Sequence, residues 1–178
     1  MIKSLILYWS SGGNTKKVAK TIEMTLLEND ISVNIVEINE DLIIDLYEFD
    51  LVFFGAPSYN MLPPEQVMKY IKNSMSKYCN RQLRAPKRYG KYAVVFCTYA
   101  GIHTGINEAY TAGKYMAQFF EHLGFCILDE WYTVGNIRGW EEGIKFGRLG
   151  DISDRPNQND LQIIHQETLD ILKGLNTQ

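Results

Sequence analysis

Apolar residues in this chain fall into short, nearly unbroken runs separated by stretches of helical period. The runs Ile2–Tyr8, Ile31–Ile38, Leu51–Ala56, Tyr92–Thr98 and Phe125–Val134 predict five strands. Leu51–Ala56 is apolar throughout, as a strand covered on both faces should be. Between them, Val18, Ile22 and Leu26 recur every four residues and predict a helix from Asn14 to Asn29 with one buried stripe. Pro63-Pro64-Glu65 opens a second helix, since proline fits a first turn where its missing N–H is not needed. That helix buries Val67, Ile71 and Met75. Asn107–Leu123 predicts a third, with small residues (Ala109, Ala112, Gly113, Ala117) for close packing and Gly124 just past its end. Asp160–Leu175, capped by Asn159 or Asp160, predicts the last. Residues 41–48 suit one helical turn or two, and 135–159 reads as irregular.

Strands alternating with helices imply an α/β fold: a doubly wound parallel sheet with right-handed crossovers and helices on both faces. One domain over 1–178 is the simplest organisation, with 135–159 as an irregular insertion before the C-terminal helix. Ligands in such sheets bind beyond the strands' carboxyl ends. The site is therefore expected in the loops after strands one, three and four.

Composition and charge narrow the classes. No apolar run reaches membrane-spanning length, and Lys3 lies within the first strand rather than before a signal-peptide core. Cys79, Cys97 and Cys126 form neither a disulfide framework nor a metal-binding spacing, which points to a reducing cytoplasm. Net charge is −3, with no sign of a nucleic-acid binder. Charge is nevertheless blocked: Lys69–Lys91 holds eight Lys or Arg and no acid, and Glu37–Asp50 holds six acids and no base. Such blocks steer a charged partner or form a solvated face.

The chemistry concentrates in Tyr8-Trp9-Ser10-Ser11-Gly12-Gly13-Asn14-Thr15, where a strand feeds a glycine- and hydroxyl-rich loop into a helix. First-turn amides lack intrahelical partners and the dipole end is positive, so such a loop cradles an anion. The plainer alternative is a strand-to-helix turn capped by Asn14. Lys16 and Lys17 sit in that first turn, where the dipole disfavours cations by ~0.3–1 kcal/mol each; a bound phosphate dianion would offset this, as would bending into solvent. The loop lacks the Gly-Lys-Ser/Thr ending of a nucleoside-triphosphate site and the G-x-G-x-x-G of a dinucleotide fold. Two further loops, Gly55-Ala56-Pro57-Ser58-Tyr59-Asn60-Met61 and Thr98-Tyr99-Ala100-Gly101-Ile102-His103-Thr104-Gly105, each set an aromatic beside residues that tolerate unusual backbone angles. A phosphate cradle between aromatic loops suits a planar heterocycle on a phosphate tail.

With these residues in view, the chain resembles the flavodoxin family over roughly 1–134 and the last helix. Tyr8-x-Ser10-x-x-Gly13-x-Thr15-x-x-x-Ala19 matches that family's FMN-phosphate signature, closest to clostridial-type flavodoxins. The resemblance implies a five-stranded sheet in the order 2-1-3-4-5 and FMN as cofactor. It implies a phosphate held by Ser10, Asn14 and Thr15 with the loop's amides, Ser11, Gly12 and Gly13 completing the cofactor-binding loop. It places Pro57, Ser58, Tyr59, Asn60 and Met61 along one flavin face. Asn60 takes the position whose peptide flips toward reduced flavin N5, a role suited to a residue that accepts a left-handed backbone. Thr98, Tyr99, Ala100, Gly101 and His103 fall at the other face and the pyrimidine edge, where Tyr99, Ile102 and His103 are alternative covers. The chain departs from the family at Ser11-Gly12, where glycine then threonine is common, and at Gly101, where some members carry an aromatic.

Nothing assigns a catalytic or metal-binding residue. The reading is an FMN electron carrier between redox partner proteins. The alternative is an NAD(P)H-dependent FMN oxidoreductase acting on quinones or similar small acceptors, for which His103 is a candidate proton donor. A third is a binding module without flavin. Trp131, Tyr132 and Trp140 either pack 135–159 onto the sheet or form a homodimer contact. His122 and His165 are expected at the surface.

Overall fold

A computed structural model describes residues 2–39, 41–78, 85 and 88–176. The expectations at Cys79, Arg81, Arg84 and Lys87, and for most of the basic loop that carries them, lie outside the described residues.

Five strands, β1 (Lys3–Tyr8), β2 (Ser32–Glu37), β3 (Leu51–Pro57), β4 (Tyr92–Tyr99) and β5 (Cys126–Val134), form one all-parallel sheet in the order β2-β1-β3-β4-β5. The helices are α1 (Asn14–Glu28), α2 (Glu65–Tyr78), α3 (Asn107–Leu123), α4 (Glu141–Phe146) and α5 (Gln158–Asn176). Because side chains alternate across a strand, the sheet divides its apolar residues between two cores. Leu5, Leu7, Val52, Phe54, Val95 and Cys97 face Val67, Ile71, Ala112, Met116 and Phe120 of α2 and α3. Ile6, Phe53, Val94, Phe96 and Trp131 face Val18, Ile22 and Leu26 of α1 and Ile164 and Leu172 of α5. Every residue of β3, at the centre, is buried.

Two details differ from the sequence expectation and one agrees. Residues 141–146, read as irregular, form α4, whose buried Gly143 lies under the Trp140 ring, where an added Cβ would come within 2.8 Å of Cδ2. The segment 41–48 forms one helical turn, the three-residue 3₁₀ turn Leu46–Glu48, within the one or two that the sequence suits. The α5 cap is Asn157 rather than Asn159 or Asp160. The Asn157 Oδ1 accepts from the Asn159 and Asp160 amides at 3.1 and 3.4 Å, and Asp160 Oδ2 accepts from Asn157 N at 2.8 Å. This reciprocal pair is a capping box with aspartate in place of the usual glutamate.

The opposite charge blocks meet in part. Lys91 Nζ bonds Asp50 Oδ1 at 3.0 Å, and the Arg88 guanidinium lies 3.9 Å from the Tyr47 ring centroid. Those two basic residues join the segment before β4 to the segment before β3. No helix among the described residues is long and apolar enough to cross a membrane.

Candidate functional site

The carboxyl ends of β1, β3, β4 and β5 open into one cavity of about 380 Å³, within the ~300–1,000 Å³ range of small-ligand pockets. Its first wall is the loop from β1 into α1. Gly13, at φ 95°, occupies the N-cap position, a left-handed conformation that glycine adopts without a Cβ clash. No side chain caps from that position. Ser10 does the work from inside the loop, its Oγ accepting from Gly13 N at 3.1 Å and Lys16 N at 3.3 Å. The amides of Asn14 and Thr15 are left without an acceptor among the described residues, free donors at the positive end of a four-turn helix.

Asn14, the alternative cap in the sequence reading, points elsewhere. Its Nδ2 donates to Asn136 O at 2.7 Å, tying α1 to the loop after β5. Gly135 permits this, since a Cβ there would lie 2.6 Å from Asn14 Nδ2. Thr15 is 1% exposed, and its hydroxyl pairs with that of Thr98 at 2.8 Å, locking the helix start to the end of β4. Lys16 reaches Glu37 at 3.9 Å.

The second wall follows β3. Ser58 N donates to Thr98 O at 2.8 Å and its hydroxyl donates to the Glu108 carbonyl, fixing the loop to β4 and α3. Tyr59 and Leu62 exchange backbone hydrogen bonds at 2.8 and 3.1 Å around Asn60 (φ 49°) and Met61 (φ 68°). Positive φ at both central residues is the mark of a type I′ turn. Tyr59, 45% exposed, stands edge-on to Trp9 at 6.0 Å, and its hydroxyl meets Ser11 Oγ at 2.5 Å. Ser11 thereby links the first wall to the second.

The third wall is Thr98, Tyr99 and Ala100. Tyr99 is buried, and burial is the main reason that its hydroxyl pKa lies above the ordinary value. Gly101 and His103 belong to the same loop but turn away. The His103 and Thr104 amides donate to Glu108 Oε1 at 2.7 Å, and the His103 ring packs on Trp140 at 5.5 Å. The neighbouring Ile102 carbonyl accepts from Arg148 N at 2.7 Å.

Of the expected site residues, Ser10, Ser11, Gly12, Asn14, Thr15, Pro57, Ser58, Tyr59, Thr98, Tyr99 and Ala100 line the cavity. Gly13 shapes the first loop without reaching the wall. Asn60, Met61, Gly101 and His103 stand outside it. A fourth wall, Gly135-Asn136-Ile137-Arg138, was missed. It follows β5 directly, and the parallel arrangement already places that end beside the others, so strand direction was the signal that could have found it. The segment that follows holds this wall in place: Asn136 N donates to Arg155 O at 2.9 Å, and Asn136 Nδ2 donates to Ser153 O at 2.8 Å. His165 is half-buried rather than free at the surface, its Nδ1 lying 2.9 Å from Thr25 Oγ1.

The profile of the family described as flavodoxin domain matches residues 5–124. No curated protein matches the sequence. Among solved structures, a flavodoxin from the domain Archaea superposes with a TM-score of 0.65 at 16% identity, covering 98% of this chain and 99% of that one. Oxidised flavodoxin 2 from Bacillus cereus gives 0.64 at 15%, covering 97% and 99%. The rubredoxin:oxygen oxidoreductase of Desulfovibrio gigas gives 0.63 at 14%, covering 98% of this chain but 36% of its own. At such identities the superpositions speak to the fold.

Proposed function

Because this chain belongs to the flavodoxin domain family, we propose that its cavity holds FMN and that the protein carries electrons between redox partners. The observation that carries the reading is the pair of free first-turn amides, Asn14 and Thr15, opening into a cavity flanked by two tyrosine loops. Those amides and the Ser10–Thr15 hydroxyls suit a phosphate dianion. Tyr59, tethered by Ser11, and Tyr99, held by burial, supply flat surface for a heterocycle at little cost in conformational freedom.

Bound FMN supplies one- and two-electron redox chemistry. The protein's part is to hold it, limit solvent and leave an edge open toward a partner. The described wall residues include no carboxylate, imidazole or thiol, so proton transfer to a substrate has few donors there, which favours a carrier over a reductase. An NAD(P)H-dependent oxidoreductase remains the second reading, supported by the ordered segment after β5 that shapes the rim.

Titrating FMN with the purified protein tests the first statement: flavin fluorescence is expected to quench to a 1:1 end point. Absence of quenching would remove the cofactor assignment. Anaerobic mixing of the loaded protein with NADH or NADPH separates the readings, since rapid bleaching of the flavin would rule out a pure carrier.

A further inference from the structure

The fourth wall contributes a charge that the other three lack. Arg138 lines the same cavity as Ser10, Gly12 and Asn14, yet it makes no ion pair among the described residues. The loop that carries it is anchored at Gly135 and Asn136. Gly135 N donates to Tyr99 O at 2.8 Å, Asn14 Nδ2 donates to Asn136 O, and Asn136 N donates to Arg155 O. The first of these ties Arg138's loop to β4, and the second ties it to the first residue of α1. Of the two lysines in that first turn, Lys16 is engaged with Glu37. The first turn of α1 contains no acid, and the described cavity wall contains none.

An arginine without an acid partner, in a loop bonded to a helix start whose amides are free, is matched by an anion. Its planar fork fits the oxygens of a phosphate in a way that a lysine point charge does not. We propose that Arg138 is a specificity-determining contact for the phosphate of the bound flavin nucleotide. The chain then selects FMN over riboflavin with a side-chain cation as well as with loop amides. This rests on the FMN reading above and extends it to a residue beyond the three loops that the sequence points to.

The test compares FMN with riboflavin, which differs only in lacking the phosphate, by quenching titrations of the wild type, Arg138→Gln and Arg138→Lys at low and high salt. Arg138→Gln is expected to weaken FMN binding about tenfold or more, the scale of a charge-assisted bond, while riboflavin binding is unchanged. The salt dependence of FMN affinity should become shallower, because a screened charge has been removed. Arg138→Lys should recover part of the loss. Equal FMN affinity in wild type and Arg138→Gln would overturn the assignment, and so would an equal loss for riboflavin, which would mark a structural role. If the wild type binds neither flavin, the FMN reading falls and this one with it; if the wild type binds FMN and Arg138→Gln binds it equally well, Arg138 alone is excluded.

Discussion

Two adjacent residues in left-handed conformation, Asn60 and Met61, are the least comfortable stretch of backbone at the site rim. Asparagine tolerates that region, but methionine does not, at a cost of roughly 1–2 kcal/mol. Met61→Gly should relieve it and, after the greater unfolded-state entropy of glycine, stabilise the protein by about 0.5 kcal/mol in urea denaturation. A lower midpoint would show that the methionine side chain earns more through contacts than its backbone loses. Glu167 offers a pH-dependent counterpart. Partial burial, with Asp129 and Asp170 nearby, raises its pKa from 4.5 to about 7. Between those values the folded state binds a proton that the unfolded chain has released, so stability falls as pH rises through that window. Glu167→Gln is therefore expected to stabilise at pH 8 by about 1 kcal/mol, the full shift being discounted for its partial exposure to water, and to have little effect at pH 4. Equal effects at both pH values would place the cause elsewhere. Residue roles were the least legible part of the sequence. The pattern Ser10–Thr15 reads as an anion loop, but the division of labour within it, Ser10 capping inward while Asn14 reaches across to Asn136, depends on where β5 ends, and no local pattern encodes that.

Elements were legible where period and punctuation agree. Asn107–Leu123 repeats its apolar stripe over nearly five turns and stops at Gly124, and the observed α3 has those same ends. By contrast, α4 is six residues long, too short for a period to show, and carries glycine in its interior. It is held by tertiary contact, with Ile152 N donating to Ile144 O at 2.9 Å and Gly143 packed under Trp140. The α5 start, expected at Asp160 and observed at Gln158, was misplaced by two residues because Asn157, Asn159 and Asp160 are all competent caps, and only the fold selects among them. Asn157→Ala should cost about 1 kcal/mol of stability by urea denaturation. Because Asp160 also pairs with Arg155, and Arg155 O holds Asn136 N, the same substitution is expected to weaken ligand binding at the fourth wall. Unchanged stability would show that Asn159 takes over as cap.

At the scale of the whole molecule, the all-parallel sheet brings all five carboxyl ends to one side, and those of β1, β3, β4 and β5 open into the cavity. Alternation of strand and helix was enough to read the parallel sheet, since crossovers between parallel strands obey one hand. The fourth wall was not read, because an irregular stretch of sequence does not announce that it folds back. The resulting cavity draws on residues from Ser10 to Arg138, so no short piece of the chain contains it. A ligand held there binds only the fully assembled sheet and must raise the stability of the entire molecule, by ~2.7 kcal/mol at a free concentration a hundred times its Kd. Flavin release and loss of helical circular dichroism should therefore share one melting temperature, rising with added FMN. Release at a lower temperature would mean that the loops part while the sheet survives. With a single transition, the brightness of the freed flavin becomes an internal thermometer for folding, so one fluorescence reading of the purified protein would report how much of it is intact.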